Sequence, residues 1–147
     1  MKRVIFALVA ALVAGFVCAQ ETPAYAPGEN PFQGDYAITI GQPVVLRVDV
    51  LGVRLDDVTV TPIGEVKSGE KVKCEVTIAG ANTGAKKAEL TAVLLLEDGD
   101  DKGLERVSLD SFKVKSGKEF RERQRLSIEA ATLTGAKRVY VFVQVSF

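Results

Sequence analysis

From Val44 to the last residue, apolar positions recur every second residue. In KVKCEVTIA, Val72, Cys74, Val76 and Ile78 share one face while Lys71, Lys73, Glu75 and Thr77 share the other. This is the repeat of a strand with one side in a core. The same alternation runs through PVVLRVDVL, VRLDDVTVTP, FRERQRLSIE and KRVYVFVQVSF, with LERVSLDSFKV as one or two shorter strands. AELTAVLLLE is apolar on both faces, because Val93 and Leu95 lie opposite Leu90, Leu94 and Leu96. That places it mid-sheet, with its second face partly covered. Between the runs stand IGEVKSGE, GANTG, EDGDDKG, KSGKE and LTGAK, each with the glycine that a tight turn requires. Only Ile128 to Thr134 reads as helical, and it is too short to organise a core. About seven short antiparallel strands with regular turns predict an all-β sandwich or a barrel.

Upstream of Val44 the pattern changes. Residues 1–19, MKRVIFALVAALVAGFVCA, have a basic start at Lys2 and Arg3, an apolar centre and small residues ahead of Gln20, the layout of a secretory signal peptide. The apolar run is shorter than the ~20 residues a membrane span needs. Cys18 follows Val17, whereas a lipidation signal places a small residue there, so the reading is an exported chain without a lipid anchor. Residues 20–43 hold Pro23, Pro27, Pro31 and Pro43 and predict an extended spacer to about Asp35. Within them Tyr36 to Ile40 alternates as a short edge strand. The domain proper is expected over 44–147.

Charge and composition then narrow the function. With Lys2 and Arg3 removed, the balance of basic and acidic residues is −2, which argues against non-specific nucleic-acid binding. The chain has no histidine, so the usual general base, the commonest metal ligand and every Ser-His or Cys-His pair are missing. Past the signal, Cys74 stands alone and no intrachain disulfide can form.

The segment from Leu55 to Phe147 resembles the bacterial immunoglobulin-like adhesion-type domains called CARDB. The likeness rests on a glycine before the strand Val72 to Ile78, the Asn82-Thr83-Gly84 turn, an aliphatic strand ending in Asp98-Gly99, a glycine turn at Ser116-Gly117 and a valine-rich last strand. It implies an immunoglobulin-like β-sandwich of seven strands used for binding, adhesion or spacing in larger surface proteins, with no active site to transfer; no cofactor is expected. The turn at Ala79-Gly80-Ala81 is longer than the family's form.

Five features carry candidate chemistry. EDGDDKGLE sets Asp98 and Asp100 at the spacing of a calcium loop, with Asp101 beside them, but Lys102 occupies the next ligand position; a charged hairpin tip accounts for it. Arg121, Arg123 and Arg125 share one face of a strand and suit a polyanion, or guard an exposed edge against aggregation. Tyr140 and Phe142 lie opposite the core face of the last strand, as a partner or sugar-stacking patch or as a surface under the proline-rich arm, covering being the reading preferred. Cys74 shares its face with Val72 and Val76, so it reads as a buried thiol. Asp56-Asp57 has no fixed partner for acid–base work.

The resulting expectation is an exported, non-catalytic module that binds a protein or a cell-surface polymer. One alternative is a carbohydrate or polyanion binder that uses the arginine row together with Tyr140 and Phe142. A small outer-membrane barrel and a carboxylate-only hydrolase are the alternatives of other classes.

Overall fold

The computed structural model describes residues 24–147. The signal peptide expected at 1–19, with Cys18, lies outside the described residues. Ten strands and one short helix follow in chain order: β1 (Ala26–Pro27), β2 (Phe32–Ala37), β3 (Val44–Val50), β4 (Val53–Pro62), β5 (Lys71–Asn82), β6 (Ala88–Glu97), β7 (Gly103–Ser108), β8 (Phe112–Val114), β9 (Glu119–Glu129), α1 (Ala130–Gly135) and β10 (Arg138–Ser146).

The strands form two sheets. Sheet A has the order β1-β3-β4-β5-β9, and sheet B the order β2-β10-β6-β7, with β8 also pairing β6. Every pairing is antiparallel except β1 with β3, which is parallel. These are open sheets rather than one closed barrel. The inward residues of both join in a single apolar cluster, whose fully buried large members include Leu55, Ile78, Leu90, Leu94, Leu96 and Ile128. Burying each such side chain contributes about 1.5–3 kcal/mol. Among the described residues no helix is long and apolar enough to cross a membrane.

The segment expected to be a spacer is built into both sheets. Tyr25 and β1 dock on sheet A, while β2 lines the edge of sheet B against β10, pairing Phe32 with Val143 and Ala37 with Arg138. The edge strand therefore begins at Phe32 rather than Tyr36. Phe32 and Ile38 supply the reason, since both are buried in the core. Proline is compatible with such edges because it lacks only the N–H that an edge position does not use. Asn30 extends the pairing with its side chain: Nδ2 donates to the Val145 carbonyl at 2.8 Å, and Oδ1 accepts the Val145 N–H at 2.9 Å.

Two irregularities in sheet A set side-chain directions. The β4–β5 register shifts between Leu55 and Asp57, so Asp56 becomes the extra residue of a bulge. The β3–β4 register shifts between Val45 and Val48, where Arg47 has φ 51°. In β5, Gly80 meets this irregular stretch so closely that a Cβ there would strike the Arg54 carbonyl oxygen and lie 2.8 Å from the Phe120 ring.

Side-chain amides and carboxylates close the sandwich where β9 passes β7 and β8. The Gln124 amide accepts the Asp110 N–H at 2.7 Å and donates to the Asp110 carbonyl at 2.8 Å, in the break between β7 and β8. Glu105 accepts from the Glu129 N–H and from the Thr132 hydroxyl in α1. At the other end of β5, fully buried Asn82 donates to the carbonyls of Lys86 at 2.8 Å and Val114 at 3.1 Å, and accepts the Gly84 N–H at 3.0 Å.

Candidate binding surface

The strand register of sheet B builds one surface from residues far apart in the chain. Alternation sends Ala88, Leu90, Ala92, Leu94 and Leu96 of β6 inward, leaving Thr91, Val93 and Leu95 outward and half-buried. In β10, Val139, Val141, Val143 and Val145 turn inward, so Tyr140 and Phe142 turn outward. Register sets Tyr140 beside Leu95 and Phe142 beside Val93. On the far side of β6, Leu95 neighbours Arg106 of β7. The result is a depression of about 260 Å³ lined by Val93, Leu95, Arg106, Tyr140 and Phe142.

Polar groups frame this surface. The Tyr140 hydroxyl donates to Gln33 of β2. Arg138 pairs with Asp35 at 2.9 Å and with Asp101 at 3.3 Å, and the Asp35 hydrogen bond raises the Arg138 pKa above its ordinary value. Arg106 and Glu97 make no ion pair among the described residues. The expected covering by the proline-rich arm does not occur among the described residues: β2 pairs edge-on with β10 and presents Gln33 and Asp35 at the margin of the surface. The arm contributes its large side chains, Phe32 and Tyr36, to the inner side instead.

The arginine row lies on the other side of the molecule. Arg121, Arg123 and Arg125 are exposed on β9, the edge of sheet A, and their register neighbours are Ala79, Thr77 and Glu75. Arg125 pairs with Glu75 at 3.8 Å, a surface contact of small energetic weight. The placement of β9 and β10 in opposite sheets therefore does not bring the arginine row together with Tyr140 and Phe142.

The acidic loop closes the β6–β7 hairpin. Asp98 Oδ1 accepts the N–H groups of Asp100 at 2.9 Å and Lys102 at 3.0 Å, and Asp101 takes a left-handed φ of 59°. Asp98 is thus engaged by backbone, and Asp101 turns to Arg138. The carboxylates that approach one another are Asp35, Glu97 and Asp101, with the Arg138 guanidinium bound to two of them.

Asp56 and Asp57 lie side by side at the bulge, both half-buried. Asp56 accepts the Tyr25 hydroxyl and pairs with Arg47 at 3.7 Å. The Tyr25 ring lies 5.5 Å from the Arg47 guanidinium and 4.9 Å from that of Arg54, so cation–π attraction pins the start of the described chain to sheet A. The hydrogen bond to Asp56, with desolvation second, raises the Tyr25 pKa. Cys74 is fully buried; burial first, and the charge of Glu105 second, push its thiol pKa up, away from a nucleophile's range.

Val93, Leu95, Arg106 and Arg138 had no place in the sequence-based surface. The two-sided apolarity of AELTAVLLLE already marked Val93 and Leu95; Arg106 carried no signal, since only the β6–β7 register brings it there. No protein-family model matches the chain, and no curated protein is significantly similar to it.

Proposed function

We propose that the protein is an exported, non-catalytic binding module whose recognition surface is the outer face of sheet B. The observation that carries this reading is the half-buried aromatic and aliphatic cluster of Tyr140, Phe142, Val93 and Leu95 around an open depression, framed by Arg106, Gln33 and Asp35. An apolar centre with a polar rim is the composition of a recognition patch. The sheet beneath it holds the side chains rigidly, so little ordering is needed on contact.

The immunoglobulin-like reading is supported by two pairings. β5 pairs β9 in sheet A and β6 pairs β10 in sheet B, as strands B with E and C with F do in such sandwiches, although β9 is here the edge of its sheet. The position beside β10, where a strand following it in the chain would run, is taken by β2. On this reading the segment expected as a spacer completes the domain.

Photo-crosslinking in the cells that make the protein tests the surface. Benzoylphenylalanine at position 142 is expected to give a discrete adduct, and the same probe at Thr59 on sheet A none. Absence of an adduct at both 142 and 95 refutes the reading. Export is tested by sequencing the mature protein: Gln20 as its first residue supports it, and a retained Met1 overturns it.

A further inference from the structure

The outer face of sheet B is complementary to itself, and we infer that its partner is a second copy of this chain. This rests on the reading of that face as the recognition surface. Across the sheet, the register gives rows that can be read from β2 to β7. One row is Asp35, Tyr140, Leu95, Arg106; the next is Gln33, Phe142, Val93, Ser108; the row on the other side has Arg138 beside Glu97. The first runs from acid through two apolar residues to base.

A two-fold axis lying in the interface, along the strands and between β10 and β6, inverts each row on the partner. Asp35 then faces the partner's Arg106, and Arg138 the partner's Glu97. Arg106 and Glu97, which make no ion pair among the described residues, each gain an opposite charge, twice per dimer. A two-fold contact requires such self-complementarity.

Shape follows the same operation. The aromatic residues of β10 form a ridge, and the shorter Val93 and Leu95 of β6 form the floor of the depression between that ridge and Arg106. The axis carries each ridge over the other copy's floor: Tyr140 covers the partner's Leu95, and Phe142 the partner's Val93. The face is four strands wide and up to 9 residues long, or roughly 19 Å by 30 Å at ordinary strand spacings. That footprint, roughly 570 Å², is below the ~800 Å² per partner of a standard interface and suits a weak, concentration-dependent dimer.

Sedimentation equilibrium on the full mature chain, from micromolar to several hundred micromolar, tests the pairing. The expected result is a monomer–dimer equilibrium that Arg106→Glu weakens by at least about tenfold, through repulsion from the partner's Asp35. Asp35→Arg alone is also expected to dissociate the dimer. An equimolar mixture of the two variants is expected to re-form it, because both contacts in the heterodimer then join opposite charges. Phe142→Asp serves as the second variant, acting at the ridge without touching either ion pair.

A wild-type chain that stays monomeric overturns the self-pairing. So does a dimer that survives both Arg106→Glu and Phe142→Asp, or a mixture of charge variants that stays monomeric while each retains the parental melting transition. The two readings separate by mass: an adduct at position 142 of twice the chain mass supports both, and an adduct of another mass with a monomeric chain keeps the surface and rejects the second copy.

Discussion

Asn82→Asp replaces one nitrogen by oxygen at a position with no solvent exposure and removes two donors without changing volume. In the parent these donors satisfy the carbonyls of Lys86 and Val114, and the remaining oxygen accepts the Gly84 N–H. The aspartate keeps the last contact and leaves two buried carbonyls facing a carboxylate. At about 1–3 kcal/mol for each of the two unsatisfied groups, the cost is about 2–6 kcal/mol. With an unfolding entropy near 2.1 cal/mol/K per residue over roughly 120 residues, that lowers Tm by about 8–24 °C. Differential scanning calorimetry at pH 7 reads the shift. The sign of its pH dependence is fixed. Burial raises the carboxyl pKa of the folded variant above its unfolded value, so the penalty is present at neutral pH and shrinks as pH falls and the protonated acid donates one bond again. A Tm within 3 °C of the parent at pH 7, or a deficit that grows on acidification, refutes the view that Asn82 holds the β5, β6 and β8 ends together.

Gly80→Ala forces a methyl into the Arg54 carbonyl and the Phe120 ring and is expected to cost about 3 kcal/mol, seen as a lower urea midpoint with an unchanged m-value. Tyr25 and Tyr36 both have pKa values raised above the ordinary 10.0, through the Asp56 bond and through burial respectively. Their stabilisation is therefore complete below pH 10 and lost as pH rises through the folded values, and Tyr25→Phe is expected to flatten the alkaline fall of Tm; an unchanged slope refutes this. Gln124→Leu removes both bonds to Asp110 and is expected to speed hydrogen exchange at the Asp110 amide about tenfold or more, corresponding to ~1.4 kcal/mol or more of lost protection.

Strand existence was legible where alternation is uninterrupted. The inward set Val72, Cys74, Val76 and Ile78 lies in the core as its spacing requires, and the two-sided apolarity of β6 corresponds to its place between β10 and the β7/β8 edge. The helix α1 falls within a residue or two of the short stretch read from sequence. Among the described residues ten strands stand where about seven were expected over 44–147, because the segment ahead of Val44 contributes β1 and an edge strand, β2, that starts earlier than the Tyr36 to Ile40 expected, and because LERVSLDSFKV breaks at Asp110. Proline signals only what a segment cannot do in a ladder; it does not show that Phe32 and Ile38 have a core to enter. The bulge at Asp56 escaped for a local reason, since VRLDDVTVTP looks like steady alternation unless both aspartates are seen to sit between inward Leu55 and Val58. The binding surface escaped for a global one. Tyr140 meets Leu95, and Leu95 meets Arg106, through registers between separate strands, and periodicity within a strand holds no information about its neighbour's register. The same limit explains why the arginine row and the aromatic pair were joined in one expected site although they lie in opposite sheets.

The way β2 lies against β10 also decides how the molecule yields to a pull. Phe32 and Val143 face each other at one end of this antiparallel pair, and Ala37 and Arg138 at the other. Once β1 and Tyr25 have peeled away, tension between the chain ahead of Phe32 and the chain beyond Val143 acts at a single end of the ladder. The Asn30–Val145 clasp takes the load first, and the rungs then open in succession like the teeth of a zipper instead of shearing together. A tether running through both ends would let go at low force, whereas a load borne across the sheet's face would leave that seam closed.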